Sequence, residues 1–269
     1  MSADWPVVLL LSVLPAVVLV AAFRRTWADG QLTQAAAGGG VAGAVAAVGL
    51  KYALYPGLQS LLGIDLRTAL ADSSSLVVQA AISIFLVGAI EEGAKLGGTL
   101  GLLTWIGGLH RPPAAYLGCL GAGLGFSILE NLDYYAQFGQ ATLVIRSLVS
   151  TTGHLVFSGL IGVTLGGALY WSQRRPLAGY LLLLGGYGVG MTCHGVFNLV
   201  AMTAEPGVSL PVLAGVLVVG LVIMYEGWHA LLRLDRTDGT ATWTCVRCGE
   251  PDEGPGRFCR KCGERQPRG

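Results

Sequence analysis

The sequence predicts an all-α polytopic membrane protein of about seven transmembrane helices, and three observations predict it. Of 269 residues, 53% are hydrophobic and only 12% are charged, whereas soluble domains carry roughly a quarter of their residues as charges; mean hydropathy is +0.61. The apolar residues gather into runs long enough, at about 1.5 Å per residue, to cross a bilayer. Arginine falls mainly in alternate connections between those runs, as the positive-inside rule requires.

The first run, Trp5 to Phe23, is preceded by Asp4 and followed by Arg24 and Arg25. A secretory signal has the opposite polarity, so a retained helix with its N-terminus outside is expected. The second, about Gln34 to Tyr55, ends at Pro56, and Lys51 near its outer end is expected to snorkel to the headgroups. A polar loop follows. The third run, about Leu76 to Leu109, is long for one straight span; His110, Arg111, Pro112 and Pro113 are expected to end it. The remaining spans run from about Ala114 to Tyr135, Leu143 to Trp171, Leu177 to Met202 and Val208 to Leu232.

With the N-terminus outside, the inner connections hold Arg24 with Arg25, Arg111, Arg174 with Arg175, and Arg233 with Arg236. The outer ones hold only Arg67 and Arg146. That places the C-terminal tail in the cytoplasm. Four glycine pairs, Gly97 with Gly101, Gly121 with Gly125, Gly162 with Gly166 and Gly186 with Gly190, are spaced for close helix approach. Net charge is +1, so bulk electrostatics points to no partner, and no nucleic acid is expected.

The tail carries the most specific local motif. Cys245-x2-Cys248 and Cys259-x2-Cys262 are each followed by glycine, Gly249 and Gly263. Four thiolates make a closed tetrahedral zinc site, and glycine permits the turn after each pair. In a reducing cytoplasm such cysteines bind metal in preference to pairing as disulfides. A small zinc ribbon is therefore expected at 245–263, joined by a linker at 236–244 to a transmembrane domain at 1–235. With no open coordination position its role is structural or for docking a cytoplasmic protein. Cys119 and Cys193 lie within spans and read as packing residues.

The polar residues inside the spans set the functional question. Glu91, Glu92 and Lys95 interrupt the third run, where each charge costs roughly 2.5–3.5 kcal/mol at the bilayer centre. On a helix one ammonium reaches both carboxylates. The bland alternative is an ion pair that locks two helices. Glu130 and Asn131 lie in the fourth span, His154 in the fifth, and His194 with Asn198 one turn on in the sixth. Singly, each histidine is more often a hydrogen-bonded core group, but four consecutive spans delivering acid, imidazole or amide groups point to one site. Counted along the helices, Glu130, His154 and His194 fall in the outer half of the membrane and the glutamate pair nearer its centre. Asp133, Glu226 and His229 read as interfacial groups.

Glu-Glu-x-x-Lys at Glu91 to Lys95, Phe-x-x-x-Glu-Asn at Phe126 to Asn131, an isolated His154, and His-x-x-x-Asn at His194 to Asn198 together resemble the PrsW family of membrane-embedded proteases. That family is related to type II CAAX prenyl endopeptidases. The resemblance covers about Leu76 to Met202. It implies a multi-helix protease whose family namesake cleaves a membrane-bound anti-sigma factor; the ribbon lies outside the shared pattern.

Peptide hydrolysis needs an activated water, an oxyanion partner and an acid for the leaving amine. In a metal version His154, His194 and a glutamate such as Glu130 hold zinc while Glu91 takes the proton. In a metal-free version Glu91 is the base and His194 with Asn198 stabilises the oxyanion. Both stay open. In either, Glu92 with Lys95 tunes or orients Glu91, and Asn131 and Asn198 act as orienting groups. The His-Glu-x-x-His pattern of soluble zinc proteases is absent. Two other classes use such residues: a proton-coupled transporter, for which no clear internal repeat argues, and a non-catalytic scaffold that docks a partner through the ribbon.

Overall fold

The computed structural model describes residues 29–63, 75–109, 111–237 and 243–252, together with residues 14, 73, 259 and 261–264. Among these, six helices are long and apolar enough to cross a membrane. We label them α1 (Gly30–Leu61), α2 (Leu76–Trp105), α3 (Pro112–Phe138), α4 (Gln140–Ser172), α5 (Pro176–Thr203) and α6 (Pro206–Thr237). They correspond one to one with the second to seventh expected spans. The expected first span, Trp5 to Phe23, lies outside the described residues.

Several helix ends differ from expectation for identifiable reasons. Pro56 does not stop α1: it follows a widened π-helical turn at Leu50–Leu54, where the hydrogen-bond ladder is already interrupted, and the helix runs on to a left-handed Gly63. The α2 helix ends at Trp105 in a turn carried by Gly107 at φ 66°. Pro112 and Pro113 instead open α3, at the first helical positions where a missing N–H costs nothing.

The α3 and α4 helices form the centre of the bundle. Their apolar windows are 78% and 61% buried, against 17–28% for the other four helices. Small residues bring the backbones together. A Cβ on Gly125 would strike the carbonyl oxygen of Gly40, which seats α1 on α3, and one on Gly195 would come 2.5 Å from the Cα of Ile84, which seats α5 on α2. Of the four expected glycine pairs, three lie in such contacts. Gly97 and Gly101 face open space.

Ion pairs tie each end of the bundle. At one end Asp29 caps α1, accepting from the backbone N–H of Gln31 and Leu32. Arg111 reaches its carboxylate at 2.7 Å and that of Asp235 at 2.8 Å, so one guanidinium joins α1, the α2–α3 connection and α6. Burial opposes ionisation of Asp29, but its bond to Arg111 and that residue's charge outweigh burial and hold the carboxyl below its ordinary value. At the other end Lys51 pairs with Asp133.

The cysteine segment forms two like turns beside a two-residue antiparallel pair, β1 (Trp243–Thr244) with β2 (Pro251–Asp252). Gly249 and Gly263 take φ 69° and 75°, and their N–H groups return to the carbonyls of Cys245 and Cys259 at 2.9 and 2.8 Å.

Candidate active site

Three helices widen into π-helical turns beside the polar residues: Leu50–Leu54 before Tyr55, Ile82–Gly88 before Glu91, and Arg146–Ser150 before His154. Such turns rotate the residues after them relative to a regular helix, and they recur at functional sites. Here they turn Tyr55, the glutamate pair and His154 toward one another.

Glu92 is the hub. It is wholly buried, and its Oε1 accepts from Lys95 Nζ at 2.6 Å and from His194 Nδ1 at 2.9 Å, while Oε2 accepts from Ser158 Oγ at 3.0 Å. Lys95 also donates to His154 Nδ1 at 2.9 Å and lies over the Phe126 ring at 4.1 Å. An ammonium only donates, so His154 Nδ1 accepts and the ring proton sits on Nε2, which meets Glu130 Oε2 at 2.8 Å. Glu130 in turn holds Arg146 at 2.6 Å. A continuous chain of hydrogen bonds thus runs from Arg146 through Glu130, His154, Lys95 and Glu92 to His194, which offsets much of the cost of burying these groups. Behind Lys95, among Thr99, Cys119 and Ile161, there is no room for a water molecule.

Glu91 stands apart. Its Oε1 accepts from Tyr55 at 3.2 Å, but its Oε2 is buried with no hydrogen-bond partner among the described residues and lies 3.7 Å from His194 Nε2. Glu92 occupies Nδ1 of that imidazole, so in the neutral ring Nε2 offers its lone pair toward Glu91. Phe157 stacks on the His194 ring at 5.1 Å, and His154 meets it edge-on at 5.0 Å.

The structure brings Glu91, Glu92, Lys95, Glu130, His154 and His194 together at one place. Asn131 joins them at one side, donating to Thr151 at 2.8 Å and accepting from Arg146 at 3.2 Å. Asn198 is half-buried one turn beyond His194 and takes no part in the network. The mismatch in depth resolves through helix length. At 30 and 33 residues, α2 and α4 span about 45–50 Å against a hydrocarbon core of ~30 Å. A count along helices of such length does not fix depth, and the contacts of Glu91 and Glu92 with His194 place the glutamate pair beside His194.

Among the described residues, two groups have the donor atoms for a metal ion. One ligand atom each from Glu91, His154 and His194 lies within 4.8 Å of the others. Glu91 Oε2 and His194 Nε2 are ready ligands, each imidazole carrying a carboxylate on its other nitrogen as metal-bound histidines do. His154 fits once Lys95 leaves Nδ1. The glutamate of this group is Glu91, whereas the sequence suggested Glu130, which is engaged by His154 and Arg146. The second group is Cys245, Cys248, Cys259 and Cys262, also within 4.8 Å of one another. Sγ atoms 3.5 Å apart are not disulfides. Burial pushes the Cys245 thiol up, but backbone N–H groups of Cys248 and Arg247 outweigh that and hold it below its ordinary value.

Sequence reasoning missed Tyr55, Arg146 and Ser158. Ser158 stands four residues after His154, on the same helix face, which is a readable signal. Tyr55 and Arg146 sit near helix ends, where such residues are ordinary. Asp133 pairs with Lys51, and Glu226 is exposed in the C-terminal half of α6.

Residues 31–226 match the family described as PrsW family intramembrane metalloprotease. That interval contains every site residue from Tyr55 to Asn198 and ends before the cysteine segment. The protease PrsW of Shouchella clausii (strain KSM-K16) is 30% identical over 129 residues, 46% of this chain. The match spans 60% of that relative's length. No solved structure matches the chain. With the family pattern extending over most of its length and the polar residues of four helices gathered at one buried site, this chain belongs to the PrsW family.

Proposed function

We propose that this protein is a membrane-embedded endopeptidase that cleaves a membrane-associated protein, such as a membrane-bound anti-sigma factor, with a water activated by Glu91. The observation that carries this reading is the buried, unpartnered Oε2 of Glu91 facing His194 Nε2 at 3.7 Å. A carboxylate oxygen desolvated without a partner is costly as structure and useful as a base.

The chain's own groups divide the work. Glu91 takes the proton of the attacking water, and Tyr55 fixes its carboxylate through Oε1. Glu92 holds His194 by Nδ1, leaving Nε2 to orient the water. The Lys95 ammonium, held between Glu92 and His154, supplies the positive charge that favours the developing tetrahedral oxyanion. Protonated Glu91 then returns its proton to the leaving amine. Where a metal is bound, Glu91, His154 and His194 are the residues that would hold it, Glu91 then serving as a ligand in place of a free base, and the ion would supply carbonyl polarisation and a water with a pKa lowered toward about 7.

Arginine placement supports an N-terminus outside and a C-terminus in the cytoplasm. The four close thiols support a structural zinc ribbon, and a cytoplasmic partner is the natural use for it. The test is cleavage of a membrane-spanning peptide by purified protein in bilayers. Glu91→Gln is expected to abolish cleavage while the protein stays inserted and folded; full activity in that variant excludes the assignment.

A further inference from the structure

We propose that a membrane-spanning substrate reaches the site between α1 and α3, by displacement of the C-terminal arm of α1, residues 51–61, and that the Lys51–Asp133 ion pair is the latch on that opening. The other walls of the site are closed at backbone distance. Between α2 and α5 a Cβ on Gly195 would come 2.5 Å from Ile84 Cα, and Tyr187 Oη donates to the Ala89 carbonyl at 2.7 Å. Between α3 and α4 a Cβ on Gly123 would come 2.6 Å from the carbonyl oxygen of His154, and between α4 and α5 one on Gly190 would come 3.1 Å from that of Phe157. Parting any of these pairs would pull Glu91, His154 or His194 out of the site.

The α1 helix packs as closely on α3 at Gly39 and Gly43, which meet the carbonyls of Gly118 and Ala122, but these glycines precede its π-helical turn at Leu50–Leu54. Beyond that turn the helix changes character. Gly57 has open space around it, and among the described residues none from 51 to 61 is buried. Long side chains reach from this arm to the bundle: Lys51 pairs with Asp133, and Tyr55 donates to Glu91 at 3.2 Å. Lys51 stands one turn before Tyr55 and Asp133 one turn after Glu130, so the ion pair crosses the gap between α1 and α3 directly beside the site. A π-helical turn followed by Pro56 is where a helix bends, and the arm carries Tyr55 alone of the site residues. Its displacement leaves the network of Glu92, Lys95, His154 and His194 intact.

The chemistry on either side of the arm selects the occupant. Tyr52, Leu54 and Leu61 are exposed on it, an apolar outer face, whereas the gap behind it holds Lys51, Asp133 and Glu130. A peptide bond must leave its helix to be cut, and unwound backbone in hydrocarbon lacks hydrogen-bond partners. An opening that is apolar toward lipid and polar within takes such backbone from the bilayer to Glu91 without stranding it.

The identity of the occupant rests on the endopeptidase reading; the place of the opening rests on the helix contacts. The experiment uses the full chain in nanodiscs with a membrane-spanning peptide that the wild type cleaves. In a Glu91→Gln background, which leaves the peptide whole, benzoylphenylalanine replaces Tyr52 on the arm or Gln137, which bonds Asp133. Parallel preparations carry it at Leu184 on α5 or Val219 on α6, both exposed. Irradiation is expected to attach the peptide at positions 52 and 137 and not at the other two. Attachment no stronger at 52 and 137 than at 184 and 219 overturns the proposal. As a second measurement, Lys51→Cys with Asp133→Cys is bridged by a short bis-methanethiosulfonate, beside wild type treated alike to account for the other cysteines. Bridging should abolish cleavage by the double variant and reduction should restore it; full cleavage by the bridged protein overturns the latch. Retained cleavage by Glu91→Gln overturns the endopeptidase reading instead, and the attachment pattern still decides where the peptide enters.

Discussion

Glu92 and His194 are joined at 2.9 Å through Oε1 and Nδ1, although they lie on different helices and 102 positions apart. Glu91, the adjacent residue, points its free oxygen at the other nitrogen of the same ring. Neighbours on a helix are turned about 100° from each other, so two consecutive carboxylates can hold one imidazole from two directions. Their consequences on substitution should separate. Glu92→Gln removes the charge that balances Lys95 and should lower Tm and the yield of folded protein. Glu91→Gln should leave Tm close to wild type and act on turnover alone. Thermal unfolding in detergent, measured beside cleavage, checks both.

Lys95 is only 2% exposed and bridges Glu92 to His154. Breaking a buried pair by removing one partner costs about 3–5 kcal/mol, because the charge left behind has no compensation. Lys95→Met should therefore unfold the bundle more readily than Lys51→Met, whose pair with Asp133 is partly open to solvent. Unfolding midpoints of the two variants supply the comparison; equal midpoints would show that Lys95 is dispensable to the fold.

How much of this was legible in the sequence follows from where each residue sits. Glu91, Glu92, Lys95, His154 and His194 stand in the middle of apolar runs, so hydropathy alone exposes them. Arg146 and Tyr55 stand where a helix approaches the interface, and arginine and tyrosine are common there for reasons unrelated to chemistry. The division of labour between Glu91 and Glu92 was expected in outline, but which oxygen lacks a partner depends on side-chain packing from three other helices. The depth of Glu91 was unreadable because the length of α2 and its π-helical turn change the count along the axis. Pro56 misled for a related reason: its effect depends on whether the ladder it would break was intact.

Close backbone contact beside His194 gives a prediction that involves no charge. A Cβ on Gly195 would lie 2.5 Å from Ile84 Cα and 2.7 Å from its backbone nitrogen. Neither atom can move without shifting the π-helical turn that precedes Glu91. Gly195→Ala should push α2 and α5 apart, lower Tm by several degrees and reduce turnover about tenfold or more, since small misplacements of catalytic groups cost heavily. Gly185→Ala, on the same helix with open space around it, should be silent in both measurements.

Metal content should separate the two ligand groups. The four cysteines offer a closed site of thiolates, suited to zinc and lacking a position for substrate. The Glu91, His154 and His194 group offers nitrogen and oxygen atoms inside the membrane domain. A full chain with Cys245→Ser and Cys259→Ser should lose about one equivalent of bound zinc and keep its cleavage of a membrane peptide in bilayers, because nothing in the catalytic proposal draws on the tail. In that background, His194→Ala should abolish cleavage. Any zinc that disappears with His194→Ala belongs to the membrane site, and zinc measured by emission spectroscopy in the two preparations assigns each equivalent to its ligands. Cleavage lost with the cysteines, in protein that remains inserted and folded, would instead place the ribbon in control of the membrane domain.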